Sequence, residues 1–267
     1  MAEPIYRACE ILAQFLVRAT GTRITYAGEE NIPERGGAVI AINHTSYVDF
    51  LPAGLAMRRR HRRLRFMIKA EMQRVKIVNF LIKRNGAIPV DRSSGHDAYD
   101  AAVQALQDGE LVAVYPEATI SRSFELKEFK TGAARMAVEA GVPIVPLIVW
   151  GAQRIWTKGL PRQLGRKKVP VTVAAGPPLP AARDITLTAK ELSESTDKEL
   201  YESTNEELYE SMTSLLHRVQ QDYPHPAGER WVPCRLGGGA PTVDEAARMD
   251  AEETAARAAR RKPRQSR

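Results

Sequence analysis

Six short apolar runs, GGAVIAIN, LRFMI, GAIPV, LVAVYP, VPIVPLIVW and VPVTVAAG, constrain this chain more than any other feature. Each has the length and the Val/Ile content of a buried strand and is bounded by turn-forming or charged residues. Between them lie segments of helical patterning, such as DAYDAAVQALQDG and GAARMAVEAG. Strands alternating with helices predict an α/β fold, a single domain with a largely parallel or mixed central sheet flanked by helices. TRITYAGEENIP, which alternates and ends in a Pro-containing turn, adds an edge strand. Functional groups in such folds gather at the C-terminal ends of strands.

At 267 residues, and with roughly 100–200 residues per domain, one core domain is the expectation. It is placed at 21–225, between an amphipathic helix over 1–20 and a mobile tail over 226–267. In the first segment Ile5, Cys9, Leu12, Leu16 and Ala19 recur at helical spacing, and Phe15 and Val17 widen the apolar face. Arg7, Glu10, Gln14 and Arg18 interrupt it, and with fewer than roughly 18 uninterrupted apolar residues it cannot span a bilayer. Two readings stand side by side: a helix lying flat on a membrane, or one packed on its own domain. Residues 188–223 read as one long helix or two, with the units ELSEST, ELYEST and ELYESM forming an acidic, solvated face. Beyond His225 the sequence lacks the apolar periodicity of a core, hence the mobile tail; a final helix from Val243 to Arg260 is the alternative.

The net charge of +7 favours anionic partners. Arg58, Arg59, Arg60, His61, Arg62, Arg63 and Arg65 form the densest basic run, suited to an anionic membrane surface or to the phosphates of coenzyme A. No aromatic interleaving or nucleic-acid motif accompanies it, so nucleic acid is not expected as a partner. Cys9 and Cys234 provide neither a disulfide framework nor metal-ligand spacing, which fits a reducing compartment and no metal. No secretory signal is visible at the start, so the expected place is the cytoplasmic face of a membrane, as a peripheral protein.

The chemistry concentrates in NHTSYVD, with Asn43, His44 and Asp49. A His at the end of a buried strand and an Asp five residues on, in the first turn of a helix beginning near Tyr47, place a carboxylate beside one imidazole nitrogen. The other nitrogen is left as a general base. Thr45 and Ser46 are the expected caps of that helix. The spacing alone is common, and a strand-capping His with a helix-terminal Asp reads equally well.

Four further blocks follow in order: GAIPVDR from Gly86, VYPEATIS from Val114, FKTGAARMA from Phe129 and VPIVPL from Val142. With NHTSYVD they resemble the glycerolipid acyltransferase family that includes the lysophosphatidic acid acyltransferases, over roughly residues 21–180. The resemblance implies that His44 is the base and Asp49 its orienter, and that Arg92 and Glu117 bind substrate. A thioester donor, acyl-CoA or an acyl carrier protein, is already activated, so no Ser or Cys nucleophile and no cofactor is called for. The acceptor implied is a phospholipid hydroxyl, that of lysophosphatidic acid.

The third block departs from the family's E-G-T-R-S. Here it reads E-A-T-I-S-R, so the customary phosphate-binding Arg is Ile120 and Arg122 lies two residues later. Arg122 is the candidate substitute; otherwise the acceptor differs, as glycerol-3-phosphate, another lysophospholipid or a glycolipid hydroxyl. Thr119 joins the acceptor site, and backbone N–H groups around Glu117, Ala118 and Thr119 are candidates for the oxyanion. Lys69 is a further cationic candidate, ahead of Lys130. Two other classes compete: a metal-dependent hydrolase using His44, Asp49 and Glu117, for which no second His has motif spacing, and a non-catalytic lipid-binding protein.

Overall fold

The computed structural model describes residues 4–90, 95–180 and 197–261. The elements run α1 (Pro4–Thr20), β1 (Arg23–Ala27), β2 (Ala38–Ile42), α2 (Phe50–Arg59), β3 (Leu64–Lys69), α3 (Lys76–Arg84), β4 (Ile88–Val90), α4 (Gly95–Gln107), β5 (Leu111–Val114), α5 (Gly132–Ala140), β6 (Ile144–Trp150), β7 (Pro170–Ala175), α6 (Asp197–Gln221) and α7 (Val243–Arg261). All six apolar runs form strands, and TRITYA forms the edge strand β1, whose exposed and half-buried positions alternate.

The seven strands make one mixed sheet of order β1-β7-β6-β2-β5-β3-β4. β2 pairs in parallel with both β5 and β6, and β3 with both β5 and β4. β6 and β7 pair antiparallel, so β7 and its parallel neighbour β1 run against the other five. The C-terminal ends of β2, β3, β4, β5 and β6 therefore share one edge of the sheet.

Both faces are covered, which is why β2 and β6 are buried at every position. Val39 and Ala41 of β2 face a core built with α4, α5 and α6, and Ala38, Ile40 and Ile42 face one built with α2. Each fully buried Ile or Leu in these layers contributes about 1.5–3 kcal/mol. Pro146 sits inside β6 without breaking it. Its missing N–H points to the gap between the Leu147↔Ala175 pair and the Ile144↔Leu179 bridge, and its carbonyl accepts from Gly176 N at 2.8 Å. Gly141, at φ 66°, closes α5 in the left-handed conformation.

α1 packs on its own domain along one side. Tyr6 is buried and its hydroxyl accepts from Leu64 N at 2.9 Å, while Arg58 pairs with Glu10 at 3.5 Å. The outward stripe is nonetheless the more apolar one: Ile11, Leu12, Phe15 and Leu16 are all exposed. Met72, Val75 and Phe80, on α3 and the turn before it, are exposed as well. No helix among the described residues is long and apolar enough to cross a membrane.

In α6 the repeat's glutamates Glu199, Glu202, Glu207 and Glu210 face solvent, and Leu208, Met212, Leu215 and Leu216 are buried. The first unit, ELSEST, lies outside the described residues.

Two expectations need correction. The segment after 226 was expected as a mobile tail, but its described part packs on the domain: Trp231, Val232 and Ala240 are buried in the α4/α5/α6 core. Trp231 closes a ring cluster with Tyr223 and His225, His225 accepts from Trp150 Nε1 at 3.1 Å, and Arg154 lies 4.4 Å over Trp231. Isolated large side chains anchor an irregular segment without any periodicity. The final helix does form, started by a capping box in which Thr242 N donates to Glu245 Oε2 at 2.9 Å and Glu245 N to Thr242 Oγ1 at 3.3 Å. The second correction is that α2 begins at Phe50, three residues later than expected, because the Thr45–Asp49 turn serves the site instead.

Candidate active site

The loop between β2 and α2 leaves the sheet at its central strand. Asn43 is fully buried and fastens this exit: its amide donates to Val149 O at 3.1 Å and accepts from Val149 N at 2.7 Å. The amide pair extends the β2–β6 ladder by a side chain, since a β6 backbone group left unpaired here is costly to bury.

His44 follows, its backbone held on both sides by the loop after β5. Its N–H donates to Glu117 Oε1 at 2.7 Å, and its carbonyl accepts from Ser121 N at 2.8 Å. The imidazole stacks on Tyr115, with centroids 4.1 Å apart and planes at 26°. Its Nδ1 lies 3.2 Å from Asp49 Oδ2. The His44 side chain keeps 20% of its surface exposed while Asp49 keeps none, so the imidazole is the accessible member of the pair.

Asp49 immediately precedes α2 in a helical conformation and makes no capping bond. Its carboxylate turns back, and Oδ2 also accepts from Thr45 N at 3.0 Å and Ser46 N at 2.7 Å. This explains the five-residue spacing: the turn wraps its own backbone amides around the carboxylate that holds the ring. Burial pushes the Asp49 carboxyl up, against the pull of His44 and of the two amides. Ser46 fixes the turn from behind, donating to Trp156 O at 2.6 Å and accepting from Val48 N at 3.1 Å. Thr157 Oγ1 donates to Thr45 O at 2.6 Å.

Glu117 is buried and both of its oxygens are engaged, Oε1 by His44 N and Oε2 by Lys127 N at 3.1 Å. The resemblance implied a substrate-binding role for it; these contacts instead order the loop. Burial raises its carboxyl to about 8, against the two backbone bonds and aided by the charge of Asp49. Ala118 next to it sits at φ 57°, a conformation that glycine adopts freely. The oxyanion candidates are reduced by this turn: Ala118 N already donates to Tyr115 O at 2.9 Å and Thr119 N to Glu117 O at 2.7 Å.

The other candidates divide. Thr119 is exposed, with Oγ1 accepting from Lys127 Nζ at 2.9 Å. Arg122 is near the site but engaged, with Nε 3.1 Å from Asp250 and Nη2 2.9 Å from Glu253. Ile120 is buried. Lys69 ends β3, with β5 between it and β2. Lys130 is exposed. Arg92 lies outside the described residues.

The Arg58–Arg65 run is used largely within the protein. Arg59 pairs with Glu29, Arg60 with Glu34 at 2.7 Å and Arg65 with Glu110 at 3.0 Å, while Arg62 donates to the carbonyls of Pro33, Gly36 and Gly109. A groove of about 580 Å³ between α1 and the end of α2 is lined by Arg7, Arg18, Arg58, Arg59 and Arg63, and His44 is not part of it.

Tyr115, Lys127, Lys158 and the acids of α7 were not read as site residues from the sequence. Tyr115 lay inside a quoted block with no spacing to mark a ring stack. Lys158 and Asp250 approach from loops and helices far along the chain, and no local pattern signals that.

No group of three or more His, Cys, Asp or Glu among the described residues is arranged to hold a metal ion. The candidate site is thus an imidazole oriented by a buried carboxylate at the C-terminal edge of a mixed sheet. The Acyltransferase family profile matches residues 23–150, from β1 to the end of β6. The chain is similar to the 1-acyl-sn-glycerol-3-phosphate acyltransferases. It is 28% identical over 159 residues to that of Borreliella burgdorferi, covering 58% of this chain and 60% of that one. It is 28% identical over 148 residues to that of Bacillus subtilis, covering 55% and 72%. The crystal structure of the 1-acyl-sn-glycerophosphate acyltransferase of Thermotoga maritima has the same fold, with a TM-score of 0.60 at 20% identity over 82% of this chain and 81% of that one.

Proposed function

We propose that this protein transfers a fatty acyl group from a thioester, acyl-CoA or acyl carrier protein, to the hydroxyl of lysophosphatidic acid, giving phosphatidic acid at a membrane surface. The observation that carries the reading is His44 held through Nδ1 by the buried carboxylate of Asp49, with the imidazole itself partly exposed.

In this reaction Nε2 of His44 takes the hydroxyl proton as the acceptor oxygen attacks the thioester carbonyl carbon. The imidazolium that forms faces Asp49 across Nδ1, where the carboxylate stabilises it. The tetrahedral intermediate then collapses with cleavage of the C–S bond, and the imidazolium returns its proton to the departing thiolate. Atoms and charge balance without a cofactor.

Access from a bilayer fits the exposed side chains. Tyr47 and Phe50 stand exposed on either side of the Asp49 turn, and the apolar stripe of α1 is turned outward. Phe15 and Leu16 entering a membrane, together with the basic surface at Arg7 and Arg18, would hold the protein peripherally, at about 1 kcal/mol per basic residue near an anionic surface.

The test is to incubate the purified protein with acyl-CoA or acyl carrier protein and lysophosphatidic acid, following free thiol and phosphatidic acid. Product that disappears with His44→Ala is expected. No product with any donor, or full activity in His44→Ala, overturns the proposal. A panel of glycerol-3-phosphate, other lysophospholipids and a glycolipid then ranks the acceptors, and a strong preference for an unphosphorylated one would reject the phosphate.

A further inference from the structure

Three cations converge beside the His44 loop, each adjacent in sequence or by hydrogen bond to a residue that grips it. Arg122 follows Ser121, whose N–H donates to His44 O; Lys158 follows Thr157, whose hydroxyl donates to Thr45 O. Lys127 donates its backbone N–H to Glu117 and its Nζ to Thr119. The three side chains are filled from outside by one helix. Asp250 takes Arg122 Nε at 3.1 Å, Lys127 Nζ at 2.6 Å and Lys158 Nζ at 2.7 Å; Glu253 takes Arg122 Nη2 at 2.9 Å and Lys158 Nζ at 2.7 Å.

How α7 is attached is as informative as what it touches. Among its described side chains only Ala246 is buried and only Asp250 and Glu253 are half-buried; the rest are exposed. Spaced four and three residues apart, these make one narrow stripe. The helix is therefore held by one small apolar contact and by ion pairs, which competing ions can replace and salt can screen. The five charged groups also leave one positive charge unmatched. A phosphate monoester, with up to two negative charges and three strong acceptor oxygens, satisfies the same donors at a single point.

We propose that Arg122, Lys127 and Lys158 form a phosphate-binding nest beside the acyl-transfer site, and that α7 closes it with Asp250 and Glu253 as built-in stand-ins for the ligand. The placement of the nest beside the reaction rests on the proposed role of His44; its affinity for phosphate does not. Although burial acts to raise it, hydrogen bonds and charge from Lys127 and Lys158 hold the Asp250 carboxyl at about 2, so the stand-in stays charged at any working pH. The ligand is a phosphate group, carried either by the acceptor or by coenzyme A. Its arrival displaces α7, and the helix therefore raises the concentration of ligand needed to occupy the nest.

Isothermal titration calorimetry on the full chain tests this with three probes: inorganic phosphate, glycerol-3-phosphate and coenzyme A. Asp250→Asn with Glu253→Gln is expected to tighten phosphate binding at least about tenfold, ~1.4 kcal/mol. Ala246→Gln, which forces the one buried anchor of α7 away without altering any charge, is expected to give a gain of the same sign. Asp244→Asn with Glu252→Gln, on the exposed face of the same helix, should give none. Adding Arg122→Gln to the first variant should abolish the gain. Preference for glycerol-3-phosphate assigns the nest to the acceptor, and preference for coenzyme A assigns it to the donor. Unchanged phosphate affinity in both latch variants, or a gain that survives Arg122→Gln, overturns the proposal. Tighter phosphate binding in a protein that transfers no acyl group would reject the proposed function and leave the nest standing.

Discussion

Replacing Asp49 by Asn separates the geometry of the His44 turn from its charge. The Asn carbonyl can occupy the place of Oδ2, which now accepts from Thr45 N, Ser46 N and His44 Nδ1 at 3.0, 2.7 and 3.2 Å. Its NH2 then falls where Oδ1, a buried atom without a protein partner, now sits. An unsatisfied buried donor costs about 1–3 kcal/mol, offset in part because a buried charge has been removed, so the fold should survive with a small loss of stability. The reaction should not. With a carboxylate and an imidazolium about 4 Å apart at an effective dielectric of about 20, the attraction lost is about 4 kcal/mol. At about 1.4 kcal/mol per factor of ten, kcat should fall by about 10³. The assay is steady-state thiol release at saturating donor and acceptor, with thermal melting as the control for folding. A variant that melts near the parent and keeps kcat within tenfold of it would refute the electrostatic role of Asp49.

Further expectations concern the surrounding parts. Asn43→Ala strips both backbone groups of Val149 of their side-chain partner and should cost about 2–5 kcal/mol in urea unfolding. Burial raises Glu117 from 4.5 to about 8, so between those values the unfolded chain has released a proton that the native one keeps. Stability should therefore fall as pH rises through that window, by up to about 4–5 kcal/mol, and Glu117→Gln should flatten the slope; equal slopes in parent and variant would contradict it. Ala118→Gly relieves a residue at φ 57° and should add about 1 kcal/mol, read as a higher melting temperature. Leu12→Glu with Phe15→Glu, both exposed, should abolish sedimentation with anionic vesicles and leave melting unchanged.

The sheet was legible because its strands carry their burial in their composition: AVIAI and IVPLIVW admit no solvated face, and each became a central strand. The direction of β7 was not legible, since VTVAA reads the same whether it runs with β6 or against it. The dyad was legible in its residues and not in its mechanics. The sequence placed Asp49 within a helix, whereas its carboxylate belongs to a turn closed by the amides of Thr45 and Ser46, and a backbone bond has no residue signature. Arg122 was legible as a cation near the site, but its partners lie 128 and 131 residues away on α7. HPAGERWVP lacked the periodicity of a core segment and still buries Trp231 and Val232, because a few large side chains suffice to seat an irregular stretch.

The stack of His44 on Tyr115 bears on the order of events in the proposed reaction. With one face of the imidazole lying 4.1 Å from a phenol ring and Nδ1 tethered to Asp49, the ring cannot turn over to exchange its two nitrogens. The proton collected from the acceptor must therefore leave from the atom that received it. Alcohol oxygen and thiolate sulfur have to visit the same point in space, one after the other, within the lifetime of a single intermediate. The active site is in this sense a turnstile with one gate, and a substrate pair that cannot share Nε2 cannot react, however tightly each partner is held.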